Sequence, residues 1–193
     1  MNARRWLPVL GLTLVAGTAG TAGCGYNTIQ TYDEQVNQAG AQIKVQLQRR
    51  ADLIPNLVAT VKGYAKQEDT IFISVADARA KLAGAVQSGD LSQMASANAA
   101  LTAPLGRLLA IAENYPQLKS NENFKSLQDE IEGTENRIAV ARQDYNQAVN
   151  TYNAYIRRFP AVLTAKIIGK GPRVYFDVQS ADAATAPKVD FSH

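Results

Sequence analysis

From Phe124 onward, apolar and small side chains recur at Leu127, Ile131, Thr134, Ile138, Ala141, Tyr145, Ala148, Tyr152, Tyr155 and Phe159, with spacings that alternate three and four without a break. Only a helix puts such a series on one side of the chain, because positions three and four apart share a helical face while a strand divides them between two. The repeat of 3.5 is slightly shorter than the helical 3.6, so the stripe keeps one face only where the helix winds left-handedly against partners. Residues 121–158 are therefore expected as one long packed helix. Ser120 or Asn121 can cap its start, and Arg157, Arg158 and Pro160 mark its end. The aromatic residues in the stripe read as packing rather than as a ligand box.

A second series, Ile54, Leu57, Val61, Tyr64, Glu68, Ile71, Val75, Ala78 and Leu82, follows the same rule, with only Glu68 breaking its apolar character. Ile29, Tyr32, Val36, Ala39, Ile43 and Leu47 form a shorter helical face upstream. Between these two series, Arg49 and Arg50 suit a helix C-terminus, Asp52 an N-cap and Pro55 a first turn. This predicts separate helices over 27–50 and 53–86, with one kinked continuous helix as the alternative. Ser88-Gly89-Asp90 predicts a turn. A third helix follows over 91–114, kinked by Pro104 and Gly106 and stopped at Tyr115-Pro116. At about 1.5 Å per residue the four helices measure roughly 36, 51, 36 and 57 Å. Rods of that kind pair as an antiparallel up-and-down four-helix bundle joined by short loops. After Pro160, short β-like runs at 164–168 and 173–178 flank Gly169-Lys170-Gly171-Pro172, which suits a small hairpin or an extended strap against the bundle. Residues 179–187 read as a flexible tail.

The amino terminus carries Arg4 and Arg5, an apolar run over 6–15, and then Ala-Gly-Thr-Ala-Gly-Thr-Ala-Gly before Cys24, the only cysteine. A basic segment, a short apolar core and small residues ahead of a cysteine are the order of a lipoprotein export signal. Residues 1–23 are expected as the signal peptide, with Cys24 as the lipidated first residue. Thr21 departs from that pattern, standing where the motif usually carries Leu or another branched apolar residue. Gly25 after the cysteine, rather than Asp, suits sorting to the outer membrane where the cell has two membranes. The expected address is the extracytoplasmic face of a cell membrane, with phospholipid holding the chain through its acyl anchor.

Without the signal, two of the 20 cations are lost and 18 face 17 acidic residues. A near-neutral chain has no electrostatic footprint for nucleic acid. The single histidine is the terminal His193, so the body lacks a Ser/His/Asp or Cys/His relay and the Glu-x-x-His di-iron ligands of ferritin-like bundles. No catalytic residue, metal or cofactor is expected. The domain plan is the signal at 1–23, a helical bundle over 24–160 and an extended tail over 161–193.

Several ordered strings carry a resemblance: Val45-Gln46-Leu47-Gln48-Arg49-Arg50-Ala51-Asp52-Leu53-Ile54-Pro55-Asn56-Leu57-Val58, Val61-Lys62-Gly63-Tyr64-Ala65, and Glu113-Asn114-Tyr115-Pro116 with Leu118-Lys119. They continue with Thr134-Glu135-Asn136-Arg137-Ile138, Ala141-Arg142, Tyr145-Asn146 with Val149, Phe159-Pro160, and Val189-Asp190-Phe191. In this succession the chain resembles the LemA family of bacterial membrane-associated proteins. The resemblance implies a LemA-like antiparallel four-helix bundle with an extended C-terminal tail near it. It brings no catalytic residues, and it suggests envelope proteins as partners.

If the first helix leaves the membrane at Cys24, an up-and-down bundle returns the end of its fourth helix to the same side. That end carries Arg157, Arg158, Lys166, Lys170 and Arg173, with no acidic residue between Asp144 and Asp177. The five cations form a candidate membrane-facing patch, each contributing about 1 kcal/mol beside anionic lipid; helix-dipole complementation is the plainer account of Arg157 and Arg158. Glu68, Glu113, Glu135, Arg79 and Arg142 lie on or beside the seams and suit ion pairs that fix helix register rather than acid–base chemistry. Two functions from different classes remain. One is a non-enzymatic, membrane-anchored scaffold that presents a face to an unidentified envelope protein. The other is a carrier or binding module opening at Pro104 and Gly106 around an apolar or lipid ligand. The sequence leaves the oligomeric state open.

Overall fold

The computed structural model describes residues 7–176, with side chains from residue 25. The described residues are helical with no strand. The order is α1 Leu7–Lys62, α2 Asp69–Ser88, α3 Leu91–Asn114, α4 Pro116–Lys119, α5 Glu122–Ile156 and α6 Ala161–Ile167, followed by an extended strap to Phe176. Two compact units divide the chain. One holds residues up to Ala41 with Gln143–Tyr175, the other Gln42–Arg142 with the chain from Phe176.

Punctuation written locally is realised. Gly89 takes a left-handed conformation at the end of α2 (φ 74°), where a side chain would be strained. The Asp90 carboxylate then accepts from the backbone N–H groups of Ser92 (2.8 Å) and Gln93 (3.2 Å) to cap α3. Pro116 opens α4 where α3 stops. The Asn121 side chain accepts from the Phe124 N–H at 3.0 Å and caps α5.

The expected break near residues 50–53 is overturned: α1 runs unbroken through Pro55 to Lys62. A proline inside a helix lacks the N–H for the carbonyl four residues back and crowds that carbonyl. Here that carbonyl belongs to Ala51, and Arg79 Nε of α2 donates to it at 2.9 Å. A donor from another helix thus replaces the one that Pro55 cannot supply. The real break lies at Gly63–Glu68, inside the second apolar series. Tyr64 and Ala65 donate back to Val61 as α1 closes, and Tyr64 is exposed while Ala65 and Phe72 are buried. Ile54, Leu57 and Val61 on α1, with Val75, Ala78 and Leu82 on α2, keep their core places.

The hairpin is also overturned. Residues 164–167 belong to α6, and 173–176 form no ladder. Ala161 and Ala165 supply a buried face, and a Schellman closure ends the helix: Lys170 N–H donates to Ala165 C=O (2.9 Å) and Gly169 N–H to Lys166 C=O (3.3 Å), with Gly169 at φ 68°. The flexible-tail expectation for 179–187, the Val189-Asp190-Phe191 string and His193 lie outside the described residues, as do residues 1–6 and the side chain of Cys24.

Candidate functional site

In the unit that pairs the start of α1 with the end of α5, the long seam gives way to side chains that hold the strap. Tyr145 and Tyr152 are buried, yet each hydroxyl reaches out to the strap backbone, Tyr145 to Val174 C=O (3.0 Å) and Tyr152 to Gly171 C=O (3.1 Å). Asn153, also buried, exchanges two hydrogen bonds with Arg173, accepting from its N–H (2.8 Å) and donating to its C=O (2.9 Å). These contacts satisfy strap groups that a strand partner would otherwise satisfy. Tyr32 of α1 meets Tyr155 of α5 edge to face, with ring centroids 5.2 Å apart.

Asp33 is the anchor of this arrangement. It is 5% exposed on α1 and accepts from Lys170 Nζ at 2.6 Å and from Arg173 Nε and Nη2 at 3.0 and 2.7 Å. Arg173 also reaches Asn37 Oδ1 at 3.0 Å. Burial opposes ionisation of Asp33, but the hydrogen bonds and charges of Lys170 and Arg173 outweigh it and hold the carboxyl below the usual carboxylate range. Burial raises the Tyr145 and Tyr152 hydroxyls above the ordinary tyrosine value, so both remain neutral donors to the strap.

The five cations expected as one patch therefore divide. Lys170 and Arg173 are half-buried partners of Asp33. Arg157, Arg158 and Lys166 are exposed. Around those three, the structure adds a feature not anticipated from the sequence: Phe159, Leu163 and Ile167 are exposed at 81, 52 and 84%. Phe159 closes the long seam in the sequence, but α5 ends at Ile156, which takes the buried place one turn beyond Tyr152. At the other end of the unit's described residues, a Cβ built on Gly25 would lie 3.5 Å from Thr164 Oγ1 and 4.0 Å from Ala161 Cα. The residue after Cys24 therefore packs directly against α6.

The second unit holds the charged residues of the seams. Arg50, 3% exposed, donates to Asn98 Oδ1 of α3 at 2.9 Å and pairs with Glu135 of α5. One buried guanidinium thus links three helices, although the sequence placed Arg50 at a helix end. Of the register-fixing ion pairs expected, Glu135 makes one across helices. Glu113 pairs with Lys119 in solvent at 2.7 Å. Arg79 serves the Ala51 carbonyl, Arg142 stacks 5.1 Å from the Phe176 ring centre, and the Glu68 carbonyl accepts from Ile71 and Phe72 at the start of α2. Two open grooves lie in this unit. One of about 690 Å³ passes Val45, Arg49, Asp52 and Glu130; the other, of about 470 Å³, lies beside Gly106 and passes Leu109, Glu113, Lys119 and Phe124. The α3 helix continues through Pro104 and Gly106. Among the described residues no cluster of His, Cys, Asp and Glu is placed to hold a metal, and no helix is long and apolar enough to cross a membrane.

A model of the LemA family matches residues 39–191. The chain is similar to magnetosome protein MamQ 2 of Paramagnetospirillum magneticum strain AMB-1, at 28% identity over 198 residues, covering 91% of this chain and 73% of the relative. It is also similar to magnetosome protein MamQ of Magnetospirillum gryphiswaldense strain MSR-1, at 27% identity over 179 residues, covering 81% and 66%.

Proposed function

The chain belongs to the LemA family, and from that premise we propose that it is a non-enzymatic helical scaffold of the bacterial envelope, tethered through a lipidated Cys24 and presenting its helices to another envelope component. The names of its relatives specify no reaction, so the task is read from this chain's own residues. The single observation that carries the reading is the packing of α6 against Gly25. The exposed Arg157 and Arg158 precede, and Lys166 belongs to, the helix whose Ala161 and Thr164 lie against Gly25, which supports the reading. In this reading the signal at 1–23 is removed, the extracytoplasmic face is the address, and the outer membrane is the destination where two membranes exist. In the same reading α1, α2, α3 and α5 are the rods of an up-and-down bundle, and the cations orient it on anionic phospholipid.

The runner-up is a carrier for an apolar ligand. It rests on the groove beside Gly106, where Leu109 and Phe124 face Glu113 and Lys119. A groove edged by charge suits solvent better than an acyl chain. Crosslinking in intact cells with the tagged full chain, followed by detergent purification and mass spectrometry, separates the two. One reproducible envelope protein supports the scaffold; a chain that emerges with only extracted lipid overturns it in favour of the carrier.

A further inference from the structure

Helix α6 inverts the usual use of an amphipathic segment. Its buried residues are the small Ala161 and Ala165, with Ala161 and Thr164 lying against Gly25 of α1, and its large apolar side chains, Leu163 and Ile167, are exposed one turn apart. Phe159, just ahead of the helix, is exposed beside them. An ordinary surface helix buries its leucines and isoleucines and exposes its alanines, because burying a large apolar side chain is worth far more than burying a methyl. The arrangement is also anchored beyond the helix. The Schellman turn at Gly169 leads into the Lys170 and Arg173 pairs with Asp33, so the α6 segment is fixed at its far end as well as along its packed face.

We propose that α6 is an interfacial membrane-docking element: Phe159, Leu163 and Ile167 enter the headgroup–acyl boundary of an anionic bilayer while Arg157, Arg158 and Lys166 contact its phosphates. Three features favour a bilayer as the occupant. The apolar edge is flanked by cations and, between Asp144 and Asp177, by no acid. Of the two acids that α1 brings to this unit from Gly25 onward, Asp33 is already engaged by Lys170 and Arg173, and Glu34 is exposed to solvent. Apolar anchors ringed by cations are the composition of interfacial segments. The inference rests on the tethered reading above, because a lipid on Cys24 would hold the membrane surface next to Gly25 and so next to α6. The acyl chains on Cys24 hold the chain to the membrane but leave its body free to turn, so a second membrane contact on the body fixes its orientation.

The test uses the chain as purified from bacterial membranes, with Trp6→Phe so that any uncleaved copy carries no second tryptophan, reconstituted into vesicles of phosphatidylethanolamine and phosphatidylglycerol that carry brominated acyl chains. One variant adds the reporter Ile167→Trp. A control places it at Gln38→Trp, an exposed α1 position in the same unit and roughly 20 Å further along the helix than Gly25. Both sites are solvent-facing, so folding is preserved. The expected result is blue-shifted Ile167→Trp emission with brominated-lipid quenching at least about threefold stronger than at Gln38→Trp. It should weaken when phosphatidylcholine replaces phosphatidylglycerol, or when Arg157→Glu and Arg158→Glu are introduced. A chain that sediments with the vesicles while Ile167→Trp is quenched by aqueous iodide, like the control, overturns the docking inference and leaves the tether standing. Shielding from both quenchers overturns it in favour of a protein partner or second copy. A chain that does not sediment with the vesicles overturns the tether, and the inference with it.

Discussion

The passage of α1 through Pro55 depends on Arg79, and that dependence can be measured as a coupling. Pro55 offers no N–H to Ala51 C=O, and its ring crowds that carbonyl; Arg79 Nε meets it at 2.9 Å instead. A hydrogen bond from a charged donor is worth about 1.5–3 kcal/mol, and a carbonyl left without any partner costs a similar amount. Arg79 is only partly buried, so water recovers some of the loss and Arg79→Ala is expected to cost about 1–2 kcal/mol. In a Pro55→Ala background the new N–H can serve Ala51, and the arginine becomes redundant. There Arg79→Ala should cost about 0.5 kcal/mol or less, the remainder being packing of the arginine stem. The four proteins of this cycle, unfolded in urea and followed by far-UV circular dichroism, give a coupling of about 1 kcal/mol if the reasoning holds. Equal costs of Arg79→Ala in both backgrounds would refute it and leave the continuity of α1 without this explanation.

Other perturbations test the remaining elements. Asp33→Asn leaves Lys170 and Arg173 without their counter-charge; since both cations are partly hydrated, a loss of about 1–2 kcal/mol is expected, together with faster amide exchange in residues 170–176 by hydrogen–deuterium mass spectrometry. Because the Asp33 carboxyl is lowered in the folded chain, its stabilisation is present above the unfolded carboxylate pKa and is lost as pH falls through the folded value; acid titrations of the Asn variant should lack that part of the decline. Gly169→Ala forces a side chain into a left-handed conformation and should cost about 1 kcal/mol in the same denaturation assay, without changing the helicity of α5. At the buried node, Glu135→Ala strands the Arg50 charge and should cost about 2 kcal/mol, more than Arg50→Met, which removes the buried charge and leaves Glu135 half in water; the reverse order would show that Arg50 is not held mainly by Glu135.

Features encoded by neighbouring residues were legible in the sequence. The Ser88-Gly89-Asp90 turn, the Asn121 cap, the Tyr115-Pro116 stop and the bounds of α3 all rest on contacts a few residues apart. Pro55 was misleading because its rescue comes from Arg79, 28 residues away, which no local rule contains. The break at Gly63–Glu68 was hidden because the three–four spacing happens to continue through the turn. Gly63 and the polar run Lys66-Gln67-Glu68-Asp69 were the signals against it. The β-like composition after Pro160 was outweighed by the buried Ala161 and Ala165, the first of them against Gly25, and by tyrosine and asparagine side chains that take the place of a strand partner. Of the candidate site, the cations were visible in the sequence and their division was not. The absence of acids between Asp144 and Asp177 pointed to a lipid-facing patch and did not reveal that Lys170 and Arg173 pair with an acid far away in the chain. That acid is Asp33, one position after Tyr32 and three before Val36 on the packed stripe of α1, and nothing local to the cations names it.

The claim that this is a tethered protein rests on Cys24, and its most direct test is the mass of the amino-terminal peptide of the tagged chain extracted from bacterial membranes. A terminus at Cys24 carrying the added mass of acyl chains, lost with Cys24→Ser along with membrane attachment, is the predicted result. A chain that keeps Met1, or one with an unmodified Cys24 in the soluble fraction, would contradict the account.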